Sequence, residues 1–319
     1  MIGIQEIEDA AGRIADHVVR TPTVPSPGLS ALLGVPATAK LELLQRTGSF
    51  KARGAAAKLL SLTEAERNAG VVAVSGGNHG IALAVMASAL DVKATVVMPR
   101  SAPARAVEIA ESAGALVRLT DDMAGAFALT EQLQREGLTL VHPFDDPVVI
   151  AGQGTVGLEF AEDAGELTDV LVSIGGGGLI AGVAAALRAR RPGVRIWGVE
   201  TEGAEAMSRA LAAGGPVPVE LSSIVSTLSA PSVSQLTYEH VAELVTEVLV
   251  VPDREAVAGS LELAEHAKVW TEPAAGCLLP AARRVLERVG GGARLGLVVC
   301  GGNATPGDMI AWASRFGLR

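Results

Sequence analysis

Four short segments of this 319-residue chain carry residue types able to do chemistry, and each follows an apolar run, three of them leading into a helical one. Gly175-Gly176-Gly177-Gly178 follows the run Val170–Ile174 and precedes the helical stretch from Leu179. Amides without a neighbouring Cβ can face an anion there, and the helix dipole adds to the attraction. A tight turn alone would need fewer glycines. Lys51 lies in the segment Gln45–Gly54, in the first turn of a helix expected over about 49–62. The positive end of the dipole disfavours its charged form, and a neutral amine is the nucleophile of Schiff-base chemistry. A lysine kept for solubility is the plain alternative. Ser75-Gly76-Gly77-Asn78-His79-Gly80 offers amides and polar side chains suited to a carboxylate, or more simply a helix cap. Cys300, in Cys300-Gly301-Gly302-Asn303, brings either a soft polar group or a small buried hydrophobe.

The elements that must position these loops follow from periodicity. Short β-branched runs alternate with Ala-rich stretches: Val71–Val74 then His79–Leu90, Ala94–Met98 then Pro103–Ser112, Val170–Ile174 then Leu179–Arg190, Arg195–Val199 then Ala204–Ala213. That alternation predicts an α/β fold with parallel sheets covered on both faces. Ala39–Leu44 and Leu295–Cys300 read as further strands. Ligands of such sheets bind at the carboxyl ends of strands, where all four loops fall. An amine for an aldehyde, a cradle for a phosphate, amides for a carboxylate and a soft partner for a ring together fit pyridoxal phosphate joined to an amino acid. A rival reading uses Gly176-x-Gly178-x-x-Ala181 with Glu200 as a dinucleotide fingerprint, which would make the chain an NAD-dependent dehydrogenase. A binding protein without turnover is a third. Neither rival needs Lys51.

Composition narrows the classes further. The net charge is −9 and only nine residues are aromatic, so nucleic acid and anionic membranes are not expected as partners. No apolar stretch reaches the length of a membrane span, and Glu6, Glu8 and Asp9 stand where an export signal would be apolar. Cys277 and Cys300 are the only cysteines, without metal-binding spacing, and a cytoplasmic location is expected.

The run Thr47-Gly-Ser-Phe50-Lys51-Ala-Arg53-Gly-Ala, the Ser75–Gly80 loop, Ile150-Ala-Gly-Gln-Gly-Thr-Val-Gly-Leu-Glu159, the tetraglycine loop, Thr271-Glu272-Pro-Ala-Ala-Gly276 and Cys300–Asn303 resemble, in that order, the threonine/serine dehydratases and serine racemases. These are fold-type II pyridoxal-phosphate enzymes, similar to the tryptophan synthase β chain, with two open twisted, mostly parallel sheets flanked by helices. The resemblance implies that Lys51 forms the Schiff base, Phe50 lies against the ring, Asn78 bonds the ring hydroxyl, Gly175, Gly176, Gly177, Gly178 and Leu179 hold the phosphate, and Cys300 faces the ring nitrogen. It places Glu272 among the cofactor contacts, and Ser75, Gly76, Gly77, Asn78 and His79 around an amino-acid substrate. It further implies a small mobile domain of residues 50–145, a large domain of 1–49 with 146–319, a homodimer, and elimination of water from L-threonine or L-serine to give a 2-oxo acid and ammonia. The regulatory extension of the long threonine dehydratases is expected to be lacking.

Three departures stand out. Ile224-Val-Ser-Thr-Leu228 replaces an Ala-Asp-Gly run. Glu200 and Ala204 match the cation site of the racemases, but Ala206 stands at the second carboxylate position, with Glu205 beside it, so no cation is read. Gly76 replaces the racemases' second acid–base serine, which implies a dehydratase with little racemase activity.

Overall fold

The computed structural model describes residues 1–318. Ten strands form: β1 (Thr23–Pro25), β2 (Ala37–Leu41), β3 (Val71–Val74), β4 (Ala94–Pro99), β5 (Leu116–Thr120), β6 (Thr139–Leu140), β7 (Asp169–Ser173), β8 (Arg195–Thr201), β9 (Glu247–Val251) and β10 (Leu295–Val299). They make two sheets, ordered β1-β2-β10-β7-β8-β9 and β5-β4-β3-β6. The ladders are parallel apart from the β1–β2 edge. The four-stranded sheet uses only residues 71–140 and forms the small lobe, while the six-stranded sheet forms the large one. The alternation of apolar runs and helical stretches therefore meant what it implied: β7 and β10 are buried along their whole length, with helices over both faces.

The helix Pro147–Asp163 crosses the helix Gly178–Arg190, and the crossing is close because glycines face each other. A Cβ on Gly182 would lie 2.4 Å from the Ile150 carbonyl oxygen and 2.5 Å from the Gly154 nitrogen. This is why Ile150–Glu159 reads as small residues at turn spacing. The helix Lys51–Leu60 packs against both Pro147–Asp163 and the small-lobe helix Asn78–Ala89, and so stands between the lobes.

One expected element ends early. The strand read as Ala39–Leu44 stops at Leu41, and Glu42–Leu44 form a 3-10 turn. That turn sends the fully buried Glu42 carboxylate inward to the Arg53 guanidinium, which donates to both of its oxygens at 2.8 Å. Glu159 accepts from Arg53 on the other side and from Lys40, so four charged side chains close a buried cluster beneath the start of the Lys51 helix. Among the described residues no helix is long and apolar enough to cross a membrane.

Candidate active site

Lys51 is the first residue of its helix and is partly buried between the lobes. Its Nζ donates to the Pro143 carbonyl at 2.9 Å and lies 5.1 Å from the centre of the Phe50 ring. Burial lowers its pKa to about 8, so about a tenth of it is neutral at pH 7. The Phe50 amide donates to the Cys300 carbonyl at 3.0 Å, which joins the Lys51 segment to the end of β10. Cys300 is buried, and desolvation pushes its thiol well above the ordinary value and keeps it neutral.

The tetraglycine loop follows β7 and runs into the helix Gly178–Arg190. Gly177 has φ +91°, a left-handed backbone that favours glycine, and a Cβ there would meet Met207 and Thr237 at 2.8 Å. Phe144 packs along the loop, within 2.0 Å of where a Cβ on Gly176 would be. The first helical bond runs from the Ala181 amide to the Gly177 carbonyl, and the amides of Gly175 through Ile180 have no partner among the described residues. A bare row of donors at a helix start is suited to a phosphate.

The Ser75–Gly80 loop follows β3. Its Ser75 Oγ accepts from the Gly77 amide at 3.2 Å, a local turn bond; Gly77 is the N-cap of the helix Asn78–Ala89 and no side chain caps it, so the cap reading of this loop does not hold. Asn78 is buried, and its Nδ2 donates to Glu272 Oε1 at 2.7 Å. Its Oδ1 accepts from Asn303 Nδ2, also at 2.7 Å. Burial raises the Glu272 carboxyl to about 7. His79 departs from the expected place beside a substrate. Its ring is buried, Nε2 donates to the Val141 carbonyl at 2.8 Å, and desolvation lowers its pKa to about 3. The one-residue step along a helix from Asn78 turns His79 by about 100°, toward the sheet rather than the cleft.

A cavity of about 110 Å³ opens between the lobes. Gly76, Gly77 and Asn78 line one side, Ile224 to Thr227 face them, and Glu272 and Asn303 close the floor. The departure segment Ile224–Thr227 thus forms a wall of this cavity, and Asp253 holds it by accepting from the Ser223 hydroxyl at 2.6 Å and the Ile224 amide at 2.8 Å. Sequence reasoning missed Pro143, Phe144 and Arg105, which also reach the site. Two of these act through a carbonyl or a ring edge, which residue type does not announce, although the rule of strand ends points to 141–144 as the segment after β6.

Glu200 answers the dinucleotide reading. Both of its oxygens are occupied, Oε1 by the Met207 amide at 2.7 Å and Oε2 by the Ser208 amide and hydroxyl at 2.9 and 2.7 Å. It is fully buried and turned to the amides at the start of the helix Ala206–Ala213, so it does not face a ribose. No cluster of three or more metal-ligating side chains occurs among the described residues.

Comparison with known proteins agrees with this arrangement. Residues 14–301 match the family model described as pyridoxal-phosphate dependent enzyme. The L-threonine ammonia-lyase of Thermotoga maritima is 39% identical over 95% of this chain and 76% of its own. The phenylserine dehydratase of Ralstonia pickettii is 37% identical over 99% of this chain and 96% of its own. Among solved structures, maize serine racemase superposes with a TM-score of 0.91 at 34% identity, covering 99% of this chain and 97% of that one. With residues 14–301 matched, a relative aligned over 99% of the chain, and Lys51 joined through Pro143 and Phe144 to the glycine loop, the chain belongs to the pyridoxal-phosphate dependent enzymes.

Proposed function

We propose that this enzyme eliminates water from β-hydroxy amino acids of the L-threonine and L-serine type, releasing a 2-oxo acid and ammonia. The residues present fit the cofactor on three counts: the unpartnered amides of Gly175 to Ile180, the left-handed Gly177 at their centre, and the buried amine of Lys51. Bound pyridoxal phosphate supplies an aldehyde that condenses with amines and a ring that stores the electron pair left on the substrate's α-carbon. Gly175, Gly176, Gly177, Gly178 and Leu179 hold the phosphate, Asn78 bonds the ring hydroxyl, Phe50 lies against the ring, and the neutral Cys300 thiol meets the ring nitrogen. Of Ser75, Gly76 and Gly77, the Gly76 amide and the Ser75 hydroxyl are the donors offered to the substrate carboxylate, since the Ser75 and Gly77 amides bond Val97 and Ser75 Oγ. Lys51 Nζ would anchor the cofactor and, as a free amine, would take the proton from the substrate's α-carbon.

Lys51 carries this reading, because an amine held near pH 8 between the two lobes suits both anchoring and proton transfer. The names of relatives widen the set of β-substituents to test, since they include phenylserine and L-threo-3-hydroxyaspartate. We propose further that residues 50–145 move against 1–49 with 146–319, and that the enzyme works as a cytoplasmic homodimer. The test is release of 2-oxo acid and ammonia in equal amounts from L-threonine, L-serine, L-threo-phenylserine and L-threo-3-hydroxyaspartate. Protein that takes up pyridoxal phosphate yet releases 2-oxo acid from none of them refutes the reaction.

A further inference from the structure

We propose that Glu272 is a positioning residue: it sets the direction of the Asn78 amide and, with Asn303, ties the small lobe's ligand loop to the large lobe across the cleft floor. Asn303 fixes the first link. Its Nδ2 donates to the Thr47 carbonyl at 2.9 Å, an oxygen that can only accept, so this amide cannot be reversed without losing that bond. The same Nδ2 donates to Asn78 Oδ1 at 2.7 Å, so Asn78 must show its oxygen to Asn303. On the far side Asn78 Nδ2 donates to Glu272 Oε1 at 2.7 Å. A flip of Asn78 would place nitrogen against nitrogen at one end and oxygen against oxygen at the other. Both ends therefore enforce one orientation, leaving one Nδ2 hydrogen for a ligand.

The chain of contacts also crosses the lobes. Asn78 opens a small-lobe helix, whereas Glu272 and Asn303 belong to loops of the large lobe. The space for the carboxyl is built in: a Cβ on Gly301 would lie 2.3 Å from Glu272 Oε1, so a glycine there leaves room for it. No cation pairs with Glu272 among the described residues, and a buried carboxyl without one is costly. A glutamine of the same shape would avoid that cost, but it could present either nitrogen or oxygen to Asn78. An ionised carboxylate offers acceptors alone, and so it holds Asn78 to one direction.

This inference rests on the reading that the ring hydroxyl of the cofactor lies at Asn78. The test compares Asn78→Ala, Glu272→Gln and Asn303→Ala as cofactor-free and loaded proteins. The measurements are the dissociation constant for pyridoxal phosphate, the visible band that reports whether the ring hydroxyl is protonated, and kcat and KM. Asn78→Ala should raise the dissociation constant about tenfold and shift the band, as the loss of one good hydrogen bond implies. Glu272→Gln should reproduce the band shift and lower kcat with KM little changed, while the melting temperature of the cofactor-free protein stays near the parent value. Should Glu272→Gln not fold, Asn303→Ala carries the test with the same expected band. A shifted band in Asn78→Ala with parental bands and dissociation constants in the other two overturns the positioning role alone. An unshifted Asn78→Ala overturns the ring placement and this inference with it.

Discussion

Replacing Arg53 with alanine should destabilise the protein by about 4 kcal/mol, because breaking a buried ion network leaves a carboxylate without its cation. The guanidinium is fully buried and donates to Glu42 Oε2 and Oε1 at 2.8 Å each, to Glu159 Oε1 and Oε2 at 2.6 and 2.9 Å, and to the Thr155 hydroxyl at 3.1 Å. After truncation Glu159 keeps Lys40, but Glu42 keeps only the Thr21 hydroxyl. At the entropy of unfolding expected for 319 residues the loss corresponds to about 6 °C in melting temperature. Arg53→Lys retains the charge but not the planar fork, and should lose about half as much. The double variant Arg53→Met with Glu42→Met removes the stranded carboxylate together with its partner and should melt above Arg53→Ala. Differential scanning calorimetry of the cofactor-free proteins decides this. An Arg53→Ala protein melting within about 1 °C of the parent would mean that Glu42 and Glu159 are satisfied by solvent, and the reasoning would fail.

Lys51→Ala should lose the covalent cofactor band and nearly all release of 2-oxo acid, and residual activity near the parent level would remove Lys51 from the mechanism. Below its pKa of about 8 the Lys51 amine is increasingly protonated, so cofactor capture by the empty protein should slow about tenfold per pH unit below 8 and level off above it. Stopped-flow rates that stay flat from pH 6 to 9 would contradict this. Gly177→Asp combines an unfavourable left-handed backbone with a charge facing the phosphate, and should weaken cofactor binding by at least about tenfold in a titration. Serine left after incubation with L-serine should remain L on a chiral column. A Cβ at Gly76 would sit 2.8 Å from the Ala102 Cβ, so any gain of racemisation by Gly76→Ser should require Ala102→Gly as well.

Six of the ten strands, with the loops at their ends, were legible because both are local properties, whereas β1, β5, β6 and β9 were not read from the sequence. Apolar runs and glycines declare themselves in a few residues, and β3, β4, β7, β8 and β10 lie within about a residue or two of their expected bounds. The early end of β2 was not legible, because its cause is Arg53, eleven residues beyond Glu42 and on another element. His79 misled for a related reason. Its identity suggested chemistry, whereas its direction is set by its position on a helix. The Asn303–Asn78–Glu272 row joins residues more than 190 positions apart, and nothing in any one loop announces it.

The place of β10 bears on how the chain comes to be folded. It lies between β2 and β7, so until Leu295–Val299 exist both of those strands present an open edge. The four-stranded sheet has no such debt to the distant terminus, being made from residues 71–140 alone, and it can mature while synthesis continues. The large sheet instead waits until Leu295–Val299 have left the ribosome, and pairing over more than 250 residues is slow. A nascent or truncated chain that ends before β10 has therefore neither a closed sheet nor the Cys300–Asn303 loop, and its exposed strand edges make it prone to aggregate.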